Sequence, residues 1–182
     1  MPALDSLLVM VVVGLVVLGA LVGSIRQLLF VVSVYGAAMI AGQSHPYLAI
    51  GVKAIVGEMA TIPVLEGASL MVLFLLGTAL LYWGLNSVFP DTRPTSERAR
   101  RLDRVFGGIL GLVGGLLFVA AFYAALGFLV QSRWPSGDIT RLSLRDQVEH
   151  SVLQPAVAMQ TPIVYVVLKP WFPRGLRGFP AD

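Results

Sequence analysis

Polar and apolar positions along the chain fall into long blocks, with neither the two-residue alternation of a half-buried strand nor the charged outer face of a water-soluble helix. Charge disappears entirely over four stretches: Ser6 to Ile25, Gln27 to Val52, Gly67 to Pro90 and Val105 to Ser132. Each meets the length of about 20 mainly apolar residues that a membrane-crossing helix requires. Only Arg26 separates the first two. One helix through both, at roughly 1.5 Å per residue, would be about twice the thickness of the hydrocarbon, so the chain is expected to turn at Gly23-Ser24. The pattern predicts spans at about 6–23, 27–48, 67–89 and 105–131, forming a transmembrane domain over 1–132. The residues between the second and third spans read as a loop with a short interfacial helix, and Arg98 to Arg104 as part of a loop between the third and fourth.

Beyond Trp134-Pro135-Ser136-Gly137 the character changes. Val148 to Leu168 is apolar but interrupted by Pro155 and Pro162. The segment 133–182 therefore reads as a C-terminal interfacial, amphipathic tail and not as a fifth span. The fold class expected is all-α: a polytopic integral membrane protein of four transmembrane helices plus that tail.

Composition agrees with this pattern. The chain is 57% hydrophobic and 13% charged, whereas a soluble domain has about 25% charged residues. The formal charge of +3 comes without a basic tract, so no nucleic acid is expected. Zero cysteines and two histidines leave no disulfide and no ordinary zinc set, and no cofactor is expected. The first segment opens on Asp5 with no Lys or Arg before it, so it reads as a span and not as a signal peptide. Basic residues near the span ends number six in the first and third loops against four in the second loop and near tail. This bias places the third loop in the cytoplasm and both termini outside it.

Candidate chemistry is sparse. Gly107, Gly111 and Gly115 recur every four residues, as do Gly19 and Gly23, and small residues at this spacing let helix backbones approach closely. They are read as helix-packing residues, internal to the bundle or joining protomers, with Ala37 and Ala41 as a similar small face. Arg26, Arg98, Arg100, Arg101 and Arg104, with Asp103 among them, are read as a cytoplasmic face touching lipid or a partner. Asp103-Arg104 and Asp5 are read as features of their own helices' N-termini. Asp146, His150 and Ser151 can be drawn as a triad, but neighbours on a helix point in different directions and no oxyanion hole is suggested. No enzyme is expected. With no charge deep in any span, ion-coupled transport is disfavoured.

Several stretches together resemble the colicin V production protein (CvpA) family of small inner-membrane proteins. They are Leu4-Asp5 opening the first span, the turn Gly23-Ser24-Ile25-Arg26-Gln27-Leu28, Pro46-Tyr47-Leu48, the run from Leu102-Asp103-Arg104 through Gly107, Gly111 and Gly115, and the tail motif Ser151, Leu153 and Pro155. Val22 and Gly114 stand where the family usually has arginines, and Gln27 where a glutamate is common. The resemblance implies four spans in a bacterial inner membrane and a role in toxin secretion or envelope homeostasis, without a defined chemistry. The alternative is an accessory or structural subunit packed against a larger membrane complex. Expected partners are membrane lipids together with a protein partner or further copies of the chain.

Overall fold

The computed structural model describes residues 3–57, 61–89 and 96–131, and in the C-terminal region residues 142, 146, 147, 150 and 151. All four elements are helices: α1 (Ala3–Val22), α2 (Ser24–Val56), α3 (Ile62–Val88) and α4 (Glu97–Gln131). Each is long and apolar enough to cross a membrane.

The helix ends follow local chemistry. Gly23 closes α1 with φ +100°, a conformation that L side chains rarely adopt, and its N–H donates to the Gly19 carbonyl at 3.0 Å. Helix α2 starts on the next residue. It then runs through Pro46, beyond the expected end of the span near residue 48, and takes in Lys53, expected in a loop. Proline has no N–H for the carbonyl four residues back, which here belongs to Gly42. The His45 ring fills that gap, with Nδ1 at 3.0 Å from the Gly42 carbonyl and 3.1 Å from that of Ala41. Carbonyl oxygens only accept, so Nδ1 carries the proton. Gly57, at φ +64°, ends α2 with its N–H on the Lys53 carbonyl.

At the start of α3 the Thr61 carbonyl accepts from Val64 and Leu65, and Pro63 occupies the first turn, where a missing N–H costs nothing. Ser96 caps α4 by accepting from the Ala99 N–H at 3.2 Å. The arginines from Arg98 to Arg104 therefore form the opening turns of α4 and not a loop.

Packing departs from the two hairpins that chain order suggests. Helix α1 packs on α4 and α2 on α3, α4 also touches α2 and α3, and α1 scarcely meets α2. The core lies where α2, α3 and α4 converge on Val34, Ala37, Ala38, Ala41, Phe74 and Ala120. Ala37 faces Gly77 across the α2–α3 contact. Phe74 and Phe118 pack with ring centroids 5.4 Å apart, and Phe30 meets Tyr82 edge-on at 5.8 Å. Hydroxyls that would otherwise be stranded in hydrocarbon donate to their own helices: Ser33 to Leu29, Thr78 to Phe74 and Ser87 to Trp83. Ser87 bonds within α3, and the buried side-chain oxygen Oδ1 of Asn86 has no hydrogen-bond partner among the described residues.

Candidate functional site

Four-residue spacing places Gly107, Gly111 and Gly115 on one face of α4, and that face is the one α1 packs against. A Cβ on Gly19 would overlap the Gly107 carbonyl, and a Cβ on Gly107 would overlap that of Gly19. A Cβ on Gly111 would overlap the Leu15 carbonyl, while one on Gly115 would lie 3.3 Å from the Val12 Cα. Gly107 also adjoins Gly23. The five glycines singled out from sequence thus meet along one contact within a single chain, with backbone against backbone and little side-chain interdigitation.

An aspartate stands at each end of this contact. At one end the half-buried Asp103 of α4 reaches the start of α2: its Oδ1 accepts from the Ser24 N–H at 2.8 Å and from the Ser24 hydroxyl at 2.5 Å. A Cβ on Gly23 would collide with Asp103 Oδ2, so glycine is required there by space as well as by φ. Asp103 lies well inside α4, which begins at Glu97. It therefore caps the N-terminus of α2, satisfying one of that helix's orphan donors and meeting the positive end of its dipole, instead of serving its own helix as expected. Arg26 is half-buried in the first turn of α2, whereas Arg98, Arg100, Arg101 and Arg104 are exposed on α4.

At the other end, Asp5 is 1% exposed in the first turn of α1. Its Oδ1 accepts from the Ser151 hydroxyl at 2.5 Å, across 146 residues of chain. Tyr123 of α4 is hydrogen-bonded to the same serine. The buried Asp5 and Ser151 and the half-buried Tyr123 thus join α1, α4 and the C-terminal segment in one cluster. From sequence, Asp5 reads as a dipole partner only. An acidic residue opening an apolar span is the signal available for Asp5, but nothing local names a partner so far away.

The Asp146, His150 and Ser151 triad is not assembled. His150 Nδ1 lies 3.1 Å from Asp146 Oδ1 in an exposed pair, while the Ser151 hydroxyl donates to Asp5. Leu153 and Pro155 of the tail motif lie outside the described residues. Among the described residues, no three His, Asp or Glu side chains gather as they would around a metal ion. The arrangement is one that fastens helices: a close backbone contact clamped by a carboxylate at both ends.

A hydrogen bond to a buried carboxyl group contributes measurably, because its loss strands a buried polar atom. Ser151→Ala is expected to lower stability in detergent by roughly 1–3 kcal/mol. In an Asp5→Leu background the same change should cost distinctly less, since only the bond to Tyr123 is then lost, and equal costs in both backgrounds would refute the pairing.

The family model described as colicin V production protein matches residues 4–162 of the chain. No curated protein and no solved structure matches it.

Proposed function

The chain belongs to the colicin V production protein family, and on that premise we propose that it serves toxin production as a non-enzymatic scaffold of the bacterial inner membrane, acting in toxin secretion or envelope homeostasis. The observation that supports a scaffold is the use made of the half-buried Asp103 and the buried Asp5. Asp103 and Asp5 are both engaged in fastening helices, and the outer surfaces of all four helices are apolar enough for lipid. In a bacterium making a colicin V type peptide toxin, loss of this chain should retain toxin inside the cell and reduce it in the medium. The wild-type chain should restore export and Gly111→Leu should not. Unchanged export after deletion would contradict the proposal.

The arginines on α4 favour placing that end in the cytoplasm and both termini outside. Single cysteines replacing Thr95 and Ser136 test this: only the one replacing Ser136 should react with an impermeant thiol reagent added to intact cells.

A second reading, an accessory subunit of a larger membrane complex, draws support from α1. It is the least enclosed of the four helices, it exposes Met10, Val13, Val17 and Leu21, and Gly14 has nothing within 4 Å of a Cβ built on it. Copurification in stoichiometric amount with a larger complex from native membranes would favour it, and a particle holding this chain alone would count against it.

A further inference from the structure

The exposed arginines that open α4 divide by face. Leu102, Val105, Phe106 and Ile109 follow the i, i+3, i+4, i+7 spacing and are each more than half exposed, forming the stripe that α4 turns outward. Arg98 lies four residues before Leu102 and seven before Val105, so it carries that stripe past its apolar end, while Arg101, four before Val105 and seven before Gly108, flanks the stripe on its α1 side. Arg100 and Arg104 are one turn apart and Arg104 is four residues before Gly108, which faces Ala20 and Val16 of α1. They stand on the α1 side of the helix. At about 1.5 Å per residue, the 35 residues of α4 exceed a hydrocarbon layer of about 30 Å, so its first turns rise into the headgroup region.

We propose that Arg98 and Arg101 bind the phosphate of an anionic phospholipid whose acyl chains lie along the Leu102 to Ile109 stripe. Guanidinium groups match phosphate geometry with paired donors, and their aliphatic stems cover apolar surface while the charge reaches the headgroup. The lipid is specified by this division. A lipid-facing stripe ending in Arg98, with Arg101 at its flank, meets a phosphate at that level, whereas Arg100 and Arg104 have the end of α1 below them and no acyl path. The inference rests on the membrane-spanning fold and not on the role in toxin production, so it can fail or stand separately.

The test titrates the detergent-solubilised full chain with phosphatidylglycerol and, separately, phosphatidylcholine, reading bound lipid by native mass spectrometry. Wild-type protein should prefer phosphatidylglycerol. Arg98→Gln with Arg101→Gln should weaken that binding by about fivefold per arginine, and Arg100→Gln with Arg104→Gln by under about twofold. Equal losses in the two double variants, or no preference in the wild type, would overturn the proposal. Glycerol phosphate at matched concentration should leave the lipid bound. Its displacing the lipid would show that a free phosphate suffices, and would overturn the assignment to lipid. Arg98→Gln alone, expected to lose about fivefold, gives the same reading with less change to the helix.

Discussion

Replacing Gly111 with leucine is expected to separate α1 from α4 and to abolish the folded bundle in mild detergent. Even a Cβ at this position would overlap the Leu15 carbonyl, and the Val16 Cα is 3.0 Å away. Both obstacles are backbone, so no rotamer change relieves them, and the helices must part along much of their contact. In a membrane, little hydrophobic force between helices compensates, because lipid tails are as apolar as leucine. The cost should exceed about 3 kcal/mol, read as loss of the thermal transition and of the wild-type elution peak in size-exclusion chromatography. Gly115→Ala should be milder, since its Cβ would meet Val12 at 3.3 Å, and Gly14→Ala should be close to neutral in open space. A Gly111→Leu protein with unchanged melting and unchanged particle size would sink the account of this contact.

Asp103→Ala should have the next largest effect. The carboxylate accepts two hydrogen bonds from Ser24, one of them from a backbone N–H at a helix start. Removing it leaves that donor, part-buried at the start of α2, without its acceptor. Loss of a helix cap costs about 0.5–2 kcal/mol and hydrogen bonds to charged groups about 1.5–3, so a loss of about 2–3 kcal/mol is expected. Asparagine in place of the aspartate keeps an acceptor oxygen without the charge, and Asp103→Asn should recover about half of the loss. If alanine and asparagine behave alike and both match the wild type, Asp103 is not a cap for α2.

The four helices were readable because charge is costly in hydrocarbon and its absence marks the spans directly. Their limits were less so. Pro46 and Lys53 look like the end of the second span, yet the His45 ring supplies the bond that Pro46 lacks, and α2 continues to Val56. Arg98 to Arg104 look like a loop because arginine resembles a loop residue at a membrane surface, although it is also a good helix former, and Ser96 starts the helix before it. Glycine spacing announces a close helix contact but does not name the partner helix or decide between one protomer and two. The pairing of α1 with α4 is set by contacts across some 90 residues of chain, which local patterning does not encode. Asp5 with Ser151 is the extreme case, because a buried carboxylate and a serine so far apart carry no shared sequence signal.

Pairing of α1 with α4 inside one chain is the central claim, and the absence of cysteine from the sequence allows it to be tested cleanly. A Cβ on Gly108 would lie 3.8 Å from the Ala20 Cβ, close to the mean separation of about 3.8 Å in a disulfide. With Ala20→Cys and Gly108→Cys introduced together, mild oxidation in native membranes should give an intramolecular disulfide. The protein should run as a monomer on a nonreducing gel, with both thiols protected from alkylation. Free thiols after oxidation, or a disulfide-linked dimer in place of the cross-linked monomer, would contradict the pairing and place the glycine contact elsewhere.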